Sequence, residues 1–213
     1  MARPRILGGS AKGMPLDTPP RGTRPSPSRL REALFDALQF RERGPFLDLY
    51  AGSGALGLEA ASRGWDATLV ELSPAAAAVI RRNARRLRLD ATVVQDDALA
   101  YAARSPGRFS VVAAAPPYPD DLVAIFRDLL RGGPAAPGGV YLLQHPTQLD
   151  LTTALADELR AVTADKDAAG RPTGSGAGVV TGVRVRRYGS NAVAWVRAGG
   201  PGSVPDGVSG TEC

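Results

Sequence analysis

The sequence predicts an α/β domain of the Rossmann-like kind. It has a seven-stranded, mostly parallel sheet that ends in an antiparallel hairpin, and a small basic extension precedes it. Three observations carry this. The stretch Phe46–Gly57, FLDLYAGSGALG, passes from an apolar run through a glycine turn into a helix-like segment, the strand–loop–helix entry of a nucleotide-binding domain. From there to about residue 160, short β-like runs alternate with helical patterns, which favours parallel strands joined by crossover helices. Last, two β-like runs meet at Tyr188-Gly189-Ser190-Asn191, a hairpin turn.

Composition narrows the chemistry. The 213 residues suffice for one full α/β domain. The one cysteine, Cys213, allows neither a disulfide framework nor a thiolate metal site. With His145 as the one histidine, a His-based metal centre or a Ser-His-Asp triad is poorly supported, and the expectation is no metal. No apolar stretch reaches membrane-spanning length and no signal-peptide core is visible, so a soluble, cytoplasmic monomer is expected. The net charge is +5, which favours an acidic partner, nucleic acid first. From Arg3 to Arg43, nine basic residues (Arg3, Arg5, Lys12, Arg21, Arg24, Arg29, Arg31, Arg41, Arg43) face four acidic ones (Asp17, Glu32, Asp36, Glu42). That excess of five equals the charge of the whole chain.

Taken in order, residues 4–17 read as a small hairpin around Gly8-Gly9 and Gly13. Residues 18–25 hold too much proline for a helix or a central strand. Ser26 is a capping hydroxyl ahead of Pro27. Helix 27–39 sets Leu30, Ala33, Leu34, Ala37 and Leu38 on one face, with Arg29 and Arg31 off it. RNA contact by Lys12, Arg21, Arg24 and Arg29 is expected from this flexible arm. In the strand 46–50, Asp48 is an acid in an otherwise apolar run. Burying it is unfavourable without hydrogen bonds, so it holds the glycine loop or the ligand. Gly52, Gly54 and Gly57 let the turn close tightly and bring backbone N–H groups to a ligand, and the following helix offers its N-terminal donors to an anion.

Ala67–Glu71 is the second strand. Glu71 lies 19 residues after Gly52, the spacing at which a carboxylate receives two ribose hydroxyls. Helix 74–88 follows, with Ala77, Val79, Ile80 and Leu87 inward and Arg81, Arg82, Arg85, Arg86 and Arg88 as a solvated face. Strand 91–95 leads to Asp96-Asp97-Ala98, where Asp97 is the chosen contact to an adenine's amine. Strand 109–114 runs into Ala115-Pro116-Pro117-Tyr118. The prolines freeze the backbone and leave carbonyls without a local N–H partner at the carboxyl end of the strand, and the tyrosine can stack on a planar base. Helix 120–131, strand 138–144, helix 151–160 and strands 179–187 and 192–197 complete the domain. His145 reads as a polar loop residue after the fifth strand. Residues 164–178 read as a mobile loop.

These residues carry a resemblance. Arg5-Ile6-Leu7-Gly8-Gly9, Lys12-Gly13, Thr23-Arg24-Pro25, Arg29–Phe35, the run LDLYAGSGALGLEAASRG at 47–64, Val70-Glu71, Asp97-Ala98, Pro116-Pro117-Tyr118 and Tyr188-Gly189 are similar to the bacterial 16S rRNA guanine-N2 methyltransferases of the RsmD family. The resemblance runs from residue 5 to about 197. It implies a class I methyltransferase fold, S-adenosylmethionine as cofactor, and a guanine of small-subunit ribosomal RNA, free or in an assembling 30S particle, as substrate. It divides the chain into an extension (1–44), a methyltransferase domain (45–198) and a disordered tail (199–213). The cofactor would lie against Asp48, Tyr50, Ala51, Gly52, Ser53, Gly54, Glu71, Leu72, Asp97 and Ala98. The target amine would lie against Ala115, Pro116, Pro117 and Tyr118. Here the chain departs from the family's pattern: position 115 is Ala where Asp or Asn is expected, and a methyl accepts no hydrogen bond. Backbone carbonyls and orientation can suffice, Asp120 or Asp121 can substitute, or the protein acts chiefly by binding. N-methylation of another RNA or of DNA is a further alternative. A nicotinamide-dependent oxidoreductase is opposed by the Pro-Pro-Tyr turn, the closing hairpin and the absence of a second substrate domain.

Overall fold

The computed structural model describes residues 3–19, 26–118, 121–156 and 180–199. Arg21, Arg24, Asp120, residues 157–160 of the expected helix 151–160, the expected loop 164–178 and the tail beyond residue 199 lie outside these. The chain divides into two compact units, Met1–Ala98 and Leu99–Cys213. Between them they hold the seven strands of the expected sheet.

In the first unit, α1 (Ser28–Ala37) precedes β1 (Pro45–Leu49), α2 (Ala55–Ser62), β2 (Asp66–Glu71), α3 (Pro74–Leu87) and β3 (Ala91–Gln95). The strands are parallel, in the order β3-β2-β1. Phe46, Leu47, Asp48 and Leu49 are all buried, the continuous burial of a strand covered on both faces. Asp48 pairs with Leu69, Leu49 with Val70, and Glu71 with Gln95. This register brings the ends of the three strands, and the loops after them, to one edge.

Two local expectations change here. Pro27, not Ser26, is the N-cap residue of α1 and makes no side-chain cap. The buried face of α1 is also rotated: Leu30, Arg31, Leu34, Phe35 and Leu38 are buried, while Ala33 is half-buried and Ala37 exposed. Arg31 therefore points into the core. It is fully buried and paired with the equally buried Glu59 of α2 at 3.3 Å. Its guanidinium also donates to the carbonyls of Arg5 and Ala55. Glu59 accepts from Leu7 N at 2.7 Å and from Arg63 Nε at 2.7 Å.

Residues 5–17, expected to be part of a flexible arm, are laced onto α2 and α3. Ser62 Oγ accepts from Ala11 N and donates to the Gly8 carbonyl, and Ser10 N donates to Ser62 O. The buried Asn83 of α3 makes both bonds to the backbone of Asp17. Arg86 donates to Pro15 O and Arg82 pairs with Asp17, so part of the arginine run on α3 holds this segment. A Cβ on Gly9 would stand 1.8 Å from Ser62 O, so only glycine lets the segment approach this closely.

The second unit has all but the first residue of α4 (Ala98–Ala103), then β4 (Phe109–Ala114), α5 (Leu122–Gly132), β5 (Ala135–Pro146), α6 (Leu151–Ala154), β6 (Val180–Tyr188) and β7 (Asn191–Ala198). Helix α4 is an element the sequence reading missed. Its order is β4-β5-β7-β6, with β4 parallel to β5 and both pairings of β7 antiparallel. The closing hairpin turns at Gly189, φ +64°. Strand β5 is longer than expected and contains His145 opposite Ala192. His145 is therefore not a loop residue: it is 1% exposed, its Nδ1 is 3.0 Å from Pro146 O, and burial holds its pKa below the ordinary value.

Candidate active site

In the first unit the ligand edge begins where β1 stops. Tyr50 has φ +59°, a left-handed conformation that a bulky residue seldom adopts. Gly52 and Gly54 follow at +56° and +75°. Ala51 N donates to Val70 O and Gly54 N to Ala51 O, which pins the turn to β2. Gly54 is packed, since a Cβ there would lie 3.0 Å from both branches of Ile80. Ser53 and Ala51 are buried.

Asp48 does hold the loop. Its Oδ2 accepts from Gly57 N at 2.8 Å, in the first turn of α2. The internal carboxylate thus occupies a helix-terminal donor that the sequence reading offered to a ligand. A Cβ on Gly57 would meet Leu69 at 2.4 Å and Asp48 Oδ2 at 2.9 Å, so the glycine is needed for this approach. Desolvation pushes the Asp48 pKa up to about 7, against the lowering effect of the Gly57 bond and with a contribution from Glu71.

Glu71 ends β2 half-buried. One oxygen accepts from Gly52 N at 2.7 Å and the other from Ser73 N at 2.8 Å. The carboxylate therefore bridges the glycine turn to the start of α3, where Ser73 Oγ caps Ala76 N. Two backbone donors leave lone pairs on both oxygens for further hydroxyls. Leu72, next to it, is 68% exposed, an apolar surface beside a polar grip. After β3, Asp96 is half-buried and its Oδ1 accepts from Asp97 N at 2.9 Å, while Asp97 is exposed and Ala98 buried. Glu71, Leu72 and the glycine turn share one edge.

In the second unit the chain leaves β4 at Ala115 and turns through Pro116, Pro117 and Tyr118. Pro116 is buried, whereas Pro117 is exposed and Tyr118 is 42% exposed. Asp121, one candidate to replace the missing acceptor, caps α5 through Ala124 N at 3.1 Å. Two residues that the sequence reading did not single out contact Tyr118. Its hydroxyl donates to Asn191 Oδ1, and Gln144 Nε2 donates to the same hydroxyl at 3.3 Å. Pairing register could have flagged them, but it is not visible before the strands are paired.

Of the basic residues expected to meet nucleic acid, Lys12 and Arg29 are exposed. Among the described residues no cluster of His, Cys, Asp and Glu could hold a metal ion. No helix among them is long and apolar enough to cross a membrane.

Comparison with known proteins gives concordant matches. The model of the family described as conserved hypothetical protein 95 matches residues 4–170. Ribosomal RNA small subunit methyltransferase D of Escherichia coli K12 is 38% identical over 118 residues, 54% of this chain. The match spans 60% of that relative's length. The putative rRNA methyltransferase YlbH of Bacillus subtilis 168 is 30% identical over 162 residues, 72% of this chain and 88% of the relative. Among solved structures, a hypothetical protein of Thermus thermophilus is 43% identical with a TM-score of 0.71, covering 90% of this chain and 98% of the other.

Proposed function

We propose, from the premise that this chain belongs to the RsmD family, described as conserved hypothetical protein 95, that it methylates small-subunit (16S) ribosomal RNA. The methyl donor is S-adenosylmethionine and the acceptor is the exocyclic N2 amine of a guanine. The substrate is the RNA itself or the assembling 30S particle, and the enzyme works as a cytoplasmic monomer. The domain from 45 to 198 carries the chemistry, and the extension 1–44 meets the RNA through Lys12, Arg21, Arg24 and Arg29.

The observation that carries this reading is Glu71. Its carboxylate is oriented by Gly52 N and Ser73 N, with lone pairs remaining and exposed Leu72 beside it. That donor and acceptor pattern fits a ribose diol next to an apolar base. When bound, S-adenosylmethionine supplies an electrophilic methyl on a sulfonium centre. Glu71 receives the ribose hydroxyls, Asp97 and Leu72 address the adenine, and Asp48 with Gly57 keeps the turn Tyr50–Gly54 in shape. The carbonyls around Ala115 and Pro116 and the ring of Tyr118 orient the target amine, which gives its surplus proton to water. Proximity and orientation supply much of the rate in such a transfer.

One observation favours a second reading, a weakly catalytic RNA-binding protein: the side chain at 115 is a methyl. Losing a positioned acceptor costs roughly 2–4 kcal/mol of transition-state stabilisation, by analogy with an oxyanion-hole donor. Transfer of labelled methyl from S-adenosylmethionine to 16S rRNA, with nucleoside analysis of wild type and Ala115→Asp, separates the two. Label in N2-methylguanosine from wild type is the expected result. Activity confined to Ala115→Asp would overturn it.

A further inference from the structure

We propose that Gln144 and Asn191 are positioning residues that clamp the hydroxyl of Tyr118, so that Tyr118 acts through its ring face and not through its oxygen. This deepens the methyltransferase reading and rests on it.

The clamp follows from strand register. Asn191 lies opposite Pro146 and Gln144 opposite Val193 in the β5–β7 pairing. Gln144 and Asn191 are thus diagonal neighbours on one sheet face, within reach of each other's long polar side chains. His145 and Ala192, each the next residue along its strand, point to the other face and are buried. Gln144 Nε2 donates to Asn191 Oδ1 at 3.3 Å and to the Tyr118 hydroxyl at 3.3 Å, and that hydroxyl donates to Asn191 Oδ1. The tyrosine oxygen is therefore donor to one amide and acceptor from the other. The hairpin tip is itself fixed: Gly189 takes φ +64°, and Thr147 N donates to Ser190 O at 3.2 Å.

The consequence concerns the ring. Its polar end is held by two strands, while its backbone end follows Pro116-Pro117, so the long axis of the ring is tethered at both ends. Yet 42% of the residue stays exposed, leaving a face for a planar base. With no side-chain acceptor at position 115, this tethered ring takes a larger part in orienting the amine. A tyrosine whose hydroxyl is bonded on both sides is poorly placed to accept the amine's proton.

The test is a double-mutant cycle of Tyr118→Phe and Asn191→Ala, with Gln144→Ala as a third variant and Tyr118→Ala as the ring-deleted control. The first readout is methyl transfer to 16S rRNA as a function of pH. Each clamp variant should lower kcat between about 2-fold and 10-fold, the worth of one or two ordinary hydrogen bonds, without moving the KM for S-adenosylmethionine. The Tyr118→Phe/Asn191→Ala double variant should fall no further than the worse single one, and Tyr118→Phe should keep the wild-type pH profile. Tyr118→Ala should lose far more. Independent effects that multiply, or a pH limb lost only in Tyr118→Phe, would overturn the clamp and make the hydroxyl a participant in proton transfer. The second readout, the same cycle in urea unfolding, needs no activity. Additive stabilities there would overturn the clamp even if the methyltransferase reading stands. Coupling there, with no transfer by wild type, would keep the clamp and refute the function.

Discussion

Replacing Asp48 by asparagine should make the protein more stable at neutral pH. The wild-type carboxyl has its pKa raised from 3.8 to about 7, chiefly because burial disfavours the charge. A raised acid pKa means the folded state holds the proton more tightly than the unfolded one. Its contribution to stability is therefore largest at low pH and declines as pH rises from about 4 to about 7, then levels off. Three pK units correspond to about 4 kcal/mol. The amide of asparagine keeps an acceptor for Gly57 N but has no charge to bury. The effect of the Gly57 bond on the charged form is already contained in that shift, so the gain at pH 8 is about 4 kcal/mol. Urea unfolding of both proteins at pH 5, 6, 7 and 8, without cofactor, measures the difference, and titrations common to both cancel. The difference should grow through the window and flatten above pH 7. A difference independent of pH, or one that shrinks as pH rises, would refute the account of Asp48 as a buried, weakly acidic strut.

Two further perturbations probe the rest of the first unit. Glu71→Ala removes the acceptor shared by Gly52 N and Ser73 N and should weaken S-adenosylmethionine binding by roughly 10- to 100-fold, the worth of charged hydrogen bonds. Titration calorimetry reads this directly, and unchanged affinity would remove Glu71 from the cofactor site. Arg31→Ala leaves the Glu59 carboxylate buried with part of its partnership gone and should cost about 3–5 kcal/mol in urea unfolding. It should also speed hydrogen exchange at Leu7 N, which donates to Glu59, and a loss below about 1 kcal/mol would contradict the anchoring role.

Much of the strand and turn framework was legible because its signals are local. Apart from Asp48, the run Phe46–Leu49 is apolar because both faces of the strand are covered, and Gly54 and Gly57 stand where a Cβ would collide with Ile80 or Leu69. Strand β3 begins and ends where the sequence reading put it, and Ser73-Pro74 opens α3 as a cap and first residue should. Misreadings arose where a local rule met a distant partner. Charge placed Arg31 outside, whereas the spacing 31, 34, 35, 38 is as good a helical face as the one chosen. What settles the phase is Glu59, 28 residues on. Likewise His145 reads from the sequence as a polar loop residue after the fifth strand, whereas pairing with β7 extends that strand to Pro146.

The sequence by itself determined the order of the strands, the glycine turn, the carboxylates at the ends of β1, β2 and β3, and the departure at Ala115, since each depends on residue type and short spacing. Only the tertiary structure decided what those groups touch: that Asp48 serves α2, that Glu71 already joins two loops, and that Gln144 and Asn191 hold Tyr118. The physical reason is that hydrogen bonds and buried ion pairs form between residues close in space whatever their separation in the chain. Asn191 meets a tyrosine 73 positions away through strand register alone.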